Sequence, residues 1–223
     1  MDVNYIAEHY QQNKDDDNYT LYETASLFVT TDTLTNGSVK TYEGFTSPEI
    51  TQVNINGDGS TVIKLYYTRN NYTVSLYINN DKAGTISGSG TYKYGKEITI
   101  IATTNLGYTF DGWYDGNNEL YETEASFDYE IVLSNVEFEA RYTPNEYTIT
   151  IDNQATGITI SGIISGNEYE CDSQITLTAT GTQLGYSVIW TRSDGVVYAG
   201  NNYEFNMPAD NITITIVTRA YIR

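Results

Sequence analysis

The sequence is short of the residues on which most site chemistries depend. One histidine, one cysteine, three prolines and two methionines occur in 223 residues. A single cysteine, Cys171, excludes a disulfide within one chain and a zinc site built on thiolates. A single histidine, His9, excludes a site with two imidazole ligands. A Cys–His nucleophile pair needs both groups within hydrogen-bond reach, which a string of separate modules opposes. Cations are scarce as well: 11 Lys and Arg stand against 29 Asp and Glu, a formal charge of −18. Nucleic-acid binding draws its affinity from Lys and Arg neutralising phosphates, so no nucleic-acid partner is expected. An anionic lipid surface is disfavoured for the same reason. No stretch reaches the length of a membrane helix, and no cationic, apolar signal pattern opens the sequence. With the repeats described below, the expectation is a fragment of a longer secreted protein, extracellular and cell-surface or cell-wall associated, without membrane insertion and monomeric as a fragment.

What is abundant points to β structure. There are 22 tyrosines and 18 glycines, and hydrophobic residues make up 39% of the chain. The apolar stretches run in Thr, Val, Ile and Tyr, which fit a pleated, half-buried surface better than a helix. Ile98-Thr99-Ile100, Tyr147-Thr148-Ile149-Thr150-Ile151 and Ile212-Thr213-Ile214-Thr215-Ile216 alternate with period two, so one face of each is buried and the other wet. Asn36-Gly37, Asn56-Gly57, Asp58-Gly59, Asp111-Gly112, Asp115-Gly116 and Asp194-Gly195 read as tight turns, because these residues tolerate the left-handed conformations such turns need. One short helix is expected around residues 20–28.

Internal repetition organises the chain. Tyr67-Thr68-Arg69-Asn70-Asn71-Tyr72-Thr73-Val74 has the form of Tyr142-Thr143-Pro144-Asn145-Glu146-Tyr147-Thr148-Ile149. Beyond these junctions, Glu97–Thr103 pairs with Gln174–Thr180, Leu106-Gly107-Tyr108 with Leu184-Gly185-Tyr186, Trp113 with Trp190, Phe127 with Phe205, and Val136–Glu139 with Ile212–Thr215. These are two copies of one module, preceded by a segment that ends alike but differs inside. The expected fold is mostly β: three small serial β modules near 1–68, 70–143 and 145–223, some of them β-grasp-like, in an elongated arrangement. Tyr108, Phe110, Trp113 and Phe127 are the expected core anchors of the second module, and Tyr186, Trp190 and Phe205 those of the third.

The two copies resemble divergent internalin-type B-repeats, found in tandem on surface proteins of Gram-positive bacteria. The resemblance rests on Gly84-Thr85-Ile86, Gly90-Thr91-Tyr92-Lys93-Tyr94-Gly95, Ile98-Thr99-Ile100-Ile101-Ala102 and Gly107-Tyr108-Thr109-Phe110-Asp111-Gly112-Trp113-Tyr114-Asp115-Gly116, with the closing Phe205-Asn206-Met207-Pro208-Ala209-Asp210-Asn211-Ile212-Thr213-Ile214. The third module departs from it at Val188-Ile189-Trp190, where the second has Phe110-Asp111-Gly112-Trp113. The first module resembles the mucin-binding-protein type of repeat through Glu8-His9-Tyr10, Tyr19-Thr20-Leu21 and Lys64-Leu65-Tyr66-Tyr67. The resemblance implies compact β modules that act as spacers or adhesive units, and it carries no catalytic residue set.

Weighed one by one, the remaining constellations give no catalytic, cofactor or metal residues, and the chain is not read as an enzyme. His9 is read as a structural or surface residue, since one His cannot identify a triad. Asn54-Ile55-Asn56-Gly57-Asp58-Gly59 has the opening of a calcium loop, but the twelfth position is Leu65 rather than a bidentate Glu, so a hairpin turn is the better reading. Asp15-Asp16-Asp17 reads as a solvated charge run. Gly88-Ser89-Gly90 lacks the helix start and Lys that phosphate binding requires. Alternating tyrosines could stack on sugars or meet a host protein, although β propensity alone already selects Tyr. Lys82, Lys93 and Lys96 leave open a Lys–Asn cross-link in the second module, which would lower the intact mass by about 17 Da. The function expected is a non-catalytic stalk or spacer and adhesion element. The alternatives are a glycan- or mucin-binding adhesin, whose partner would be a host glycan or glycoprotein, and an accessory module of a secreted carbohydrate-active enzyme. A glycan binder should present one exposed cluster of aromatics with polar edges on a single module.

Overall fold

Alternating β-branched and aromatic residues bury one face of an extended chain and wet the other, so short strands are the conformation this sequence favours. The computed structural model describes residues 2–30, 33–35, 38–49 and 52–220, and it holds strands and turns with no helix among them. The N-terminal segment contains β1 (Asp2–Gln12), β2 (Tyr19–Thr30), β3 (Leu34–Thr35), β4 (Phe45–Thr46), β5 (Val53–Asn54) and β6 (Val62–Arg69). The first copy contains β7 (Asn71–Ile78), β8 (Gly84–Ser87), β9 (Gly90–Lys93), β10 (Glu97–Thr104), β11 (Tyr108–Asp115), β12 (Leu120–Glu122), β13 (Ser126–Glu130) and β14 (Val136–Pro144). The second contains β15 (Glu146–Asn153), β16 (Thr159–Ser161), β17 (Glu168–Glu170), β18 (Gln174–Thr180), β19 (Tyr186–Arg192), β20 (Val197–Ala199), β21 (Asn202–Asn206) and β22 (Ile212–Ala220).

By its contacts the chain divides into two compact units. One holds Met1–Tyr77, Ile86–Ala102 and Trp113–Glu139, the other Ile78–Thr85, Thr103–Gly112 and Ala140–Arg223. In the first unit a sheet runs in the order β2-β1-β6-β4. β1 and β6 pair parallel, with Ile6 opposite Val62 and Gln11 opposite Tyr67. One face of this sheet buries Tyr5, Ile63, Leu65 and Tyr67 with Ile55, and Leu27, Val29, Tyr42 and Phe45 pack against them. The same unit holds most of the sheet β13-β10-β8, where Ile98 faces Tyr129 and Ile100 faces Phe127. The sheet β12-β11-β14-β7-β9 is formed by strands of the first copy.

In the second unit the sheets β17-β15-β22-β19-β20 and β16-β18-β21 enclose one core. Trp190, Leu177, Ile149, Val188, Ile214 and Ile216 are fully buried at its centre. Here too the first and last strands of the copy are adjacent and parallel, Ile149 facing Ile212 and Asn153 facing Ile216. Trp113 in the first copy is equally inaccessible. Each indole N–H donates to a main-chain carbonyl, Trp113 to Ala125 at 3.4 Å and Trp190 to Gly200 at 2.7 Å.

Several expectations need correction. Residues 20–28 are strand, inside β2. Thr20, Thr24, Tyr22 and Phe28 favour the extended chain, and half-buried Glu23, Ala25, Leu27 and Val29 alternate with exposed neighbours. A β-grasp needs a helix across its sheet, and none is present among the described residues. Asp111-Gly112 lies within β11 rather than at a turn. Tyr186 is 42% exposed and is not a core anchor. The pairing also moves one equivalence by two residues. Phe205 faces Ile175 and Tyr203 faces Leu177, so the counterpart of Phe205 is Tyr129 and that of Phe127 is Tyr203. Asn36-Gly37 lies outside the described residues.

Candidate functional site

Among the described residues, functional groups come together at the two junctions, from the N-terminal segment to the first copy and from the first copy to the second, and in a groove on the first copy.

Each junction begins with a turn whose third residue is a glycine in the left-handed region. Phe45 N–H donates to Tyr42 C=O across Gly44, and Tyr108 N–H to Asn105 C=O across Gly107; the glycine φ values are +77° and +91°, which only glycine adopts without cost. The linker residue Asn70 donates its N–H to Gly44 C=O at 2.8 Å and accepts from Tyr94 N–H at 2.9 Å. Its side-chain oxygen accepts from Thr46 Oγ1 at 2.6 Å. Asn145 repeats all three bonds: to Gly107 C=O at 2.8 Å, from Cys171 N–H at 2.8 Å and from Thr109 Oγ1 at 2.6 Å. A Gly-aromatic-Thr turn on one module and a single Asn in the linker thus make the same three-point clamp twice. The pattern Gly44-Phe45-Thr46…Asn70 and Gly107-Tyr108-Thr109…Asn145 was present in the sequence as a signal.

Side chains reinforce each clamp. At the first, the Arg69 guanidinium donates to Gln12 C=O at 2.6 Å and to Tyr94 C=O at 2.8 Å, and it lies 4.7 Å from the Phe45 ring centre. At the second, Tyr108 O–H donates to Asp172 at 2.7 Å. Burial and that carboxylate push the phenol up to about 12. The three lysines considered for a cross-link all stand at carboxylates: Lys82 lies 3.7 Å from Asp172, Lys93 2.8 Å from Asp17 and Lys96 3.7 Å from Asp15. The charge run Asp15-Asp16-Asp17 therefore receives two of these ammonium groups, those of Lys93 and Lys96.

His9 is wholly buried in the first unit. Its Nδ1 lies 2.9 Å from Tyr67 Oη, its ring stacks on Tyr67 at 5.7 Å and meets the edge of Tyr42 at 6.3 Å. Desolvation, and secondarily Lys40, holds its pKa below the ordinary value. Cys171, in the second unit, is buried against Gly107, and burial pushes its thiol up. Both are packing residues. Asn56–Gly59 is a turn closed by Gly59 N–H to Asn56 C=O at 3.3 Å, with Asp58 accepting from Ser60. Its flanking strands pair elsewhere, β5 with β3 and β6 with β1 and β4, so it is a turn without being a hairpin.

The groove is an open depression of about 510 Å3 lined by Asp115, Asn117, Tyr121, Tyr129, Asn135 and Phe138, among others. Tyr121 is 49% exposed, and its ring leans on Phe138 at 4.7 Å and Phe127 at 5.6 Å. The Asp115 carboxylate accepts the N–H groups of Asn117 and Glu119 at 2.9 and 3.0 Å. These bonds hold it below the usual carboxylate range. In the second copy the residue two beyond the tryptophan is Arg192 rather than an acid. Its guanidinium, bound to Asp194, covers the Phe205 ring at 5.0 Å.

A sequence model of the divergent InlB B-repeat domain matches residues 72–146 and 147–217. Among solved structures, the Bacillus anthracis TIE protein is similar with a TM-score of 0.49 and 10% identity, over 98% of this chain and 51% of that one. The chain thus spans about half the length of that protein. A mutant of the major pilin of Streptococcus pyogenes is similar with a TM-score of 0.27 and 10% identity, over 68% of this chain and 98% of the pilin. The T-13 major pilin of the same species gives 0.27 and 13%, over 68% and 96%. No curated protein matches the chain.

Proposed function

Because the chain belongs to the divergent InlB B-repeat family, with one repeat over residues 72–146 and another over 147–217, we propose that it is a non-catalytic repeat region of a bacterial cell-surface protein, working extracellularly as a stalk or spacer. The observation that carries this reading is the parallel pairing of first and last strands, β1 with β6 and β15 with β22. When the entering and leaving strands run side by side in one direction, the chain leaves a module at the end opposite its entry. A module built this way can add its own strand length, roughly 30 Å for nine residues of strand. The Asn70 and Asn145 clamps favour the same use, since three hydrogen bonds at a linker residue oppose bending there. Small-angle X-ray scattering tests it. A globule of this length has a radius of gyration of about 17 Å, and a spacer should exceed about 25 Å. A value near the globular one would sink the reading.

A second reading, adhesion, is favoured by the groove at Tyr121. It has the exposed aromatic face and polar edge that a neutral sugar ring requires. The resemblance of residues 1–68 to mucin-binding-protein repeats points the same way. Titration with lactose, N-acetyllactosamine and 3′-sialyllactose, followed by amide shifts, decides it. Saturable shifts at residues 115–138 with the neutral sugars, lost in Tyr121→Ala, support adhesion through this groove. Their absence leaves the spacer reading alone.

A further inference from the structure

We propose that β2 is a docking edge for a second copy of this chain, the two β2 strands pairing antiparallel about a twofold axis at Ala25.

β2 is the outermost strand of its sheet, paired with β1, and at 12 residues it is the longest strand among the described residues. Natural sheets protect such an edge with lysines, prolines, bulges or brevity, and the one bulge of β2 against β1 lies near its start, at Tyr22. Here there is no lysine or proline in Tyr19–Thr30, and its one charged residue is Glu23. That carboxylate is already bound, to Lys40 at 2.8 Å and to the Tyr42 hydroxyl. The strand instead presents Tyr22 at 62% exposure and Phe28 at 74%.

The order of residues makes the edge complementary to itself. A twofold contact sets each residue against its mirror position on the other copy. About Ala25, Thr24 meets Ser26, Tyr22 meets Phe28, Leu21 meets Val29 and Thr20 meets Thr30. Hydroxyl faces hydroxyl, ring faces ring and aliphatic faces aliphatic, the cross-strand pairs that stabilise antiparallel sheets. Glu23 opposite Leu27 is the one mismatch, and Glu23 never meets its own copy. The register with β1 shifts between His9 and Tyr10, which face Glu23 and Leu21 and leave Tyr22 as the extra residue. The regular stretch is therefore Glu23–Leu27, closed at each end by a Tyr22–Phe28 pair. The expectation of a monomeric fragment stands against this edge.

Sedimentation of the full chain up to about 500 µM, in salt of about 0.5 M to screen the charge of −18, decides between them. The expected result is a concentration-dependent dimer. Phe28→Lys should weaken it at least about tenfold, with the melting temperature unchanged because the ring is exposed. Tyr198→Lys, on an exposed residue of the second repeat, should leave it intact. Nitroxides on Ser26→Cys should report an intermolecular distance below about 20 Å, the reach of two labels across one strand spacing. A monomer throughout the range overturns the proposal, and so does a dimer indifferent to Phe28→Lys.

Discussion

A methyl group on Gly107 would stand 2.4 Å from the Cys171 sulfur and 2.8 Å from the Ala209 side chain. The glycine is also held at φ +91°, so a side chain is opposed by both space and backbone. Gly107→Ala should cost about 1–3 kcal/mol of overpacking and strain. It should open the junction rather than the cores, so the Cys171 thiol should react faster with a disulfide reagent. Urea unfolding and thiol-exchange rates measure the two effects. An unchanged thiol rate would show that Gly107 does not control this contact.

Asn145 offers a graded test of the clamp. Asn145→Ala removes the bond from Thr109 Oγ1 but keeps both main-chain bonds. The loss should be about 0.5–1.5 kcal/mol. Asn145→Pro also removes the N–H that reaches Gly107, and should loosen the junction further. The matching pair at Asn70 should behave alike, since its bonds have the same lengths within 0.1 Å. Nitrogen relaxation on either side of each linker would show the modules tumbling more independently. Equal relaxation in wild type and Asn145→Pro would count against a clamp.

How far the sequence carried these conclusions depended on the range of the interaction. Period-two alternation is local, and it identified β10, β15 and β22. β2 was misread because Glu23, Ala25 and Leu27 favour helix individually, whereas its pairing with β1 makes it strand. The match of Phe127 with Phe205 followed residue type, and only the register opposite Ile98 and Ile175 shows that Tyr129 holds that place. The clamps were written in the chain as Gly-aromatic-Thr and a distant Asn, but nothing local links Gly44 to Asn70. Gly185-Tyr186-Ser187 repeats the turn, with φ +88° and Tyr186 N–H on Gln183 C=O at 3.1 Å. The groove was legible least, because it needs Tyr121, Tyr129 and Phe138 from three different strands.

The two tryptophans should report separately on their repeats. Both are fully buried, so Trp113→Ala or Trp190→Ala should cost about 3–5 kcal/mol, comparable to the whole stability of a small module. Each change should unfold its own repeat and leave the others standing, visible as loss of one set of dispersed amide signals. Loss of all signals in either variant would mean that the repeats fold as one cooperative block.

His9 makes the N-terminal sheet sensitive to mild acid. Its folded pKa lies below the ordinary value of 6.5, chiefly through burial, with Lys40 adding to the shift and Glu23 opposing it. The unfolded chain therefore binds a proton more readily than the folded one as pH falls through 6.5. The stability that neutral His9 contributes is complete above that pH, is lost progressively below it, and the loss levels off once pH passes the folded pKa. Glu23 and Asp16 have folded pKa values below the ordinary carboxylate range, so their contributions fall only at lower pH and the first decline belongs to His9. His9→Phe keeps a ring against Tyr67 and Tyr42 and removes the titrating group. Thermal melts followed by tyrosine fluorescence should show the wild-type transition dropping as pH falls below about 6.5, while His9→Phe stays level until the carboxylates begin to titrate. The same drop in both proteins would assign the acid sensitivity to carboxylates instead.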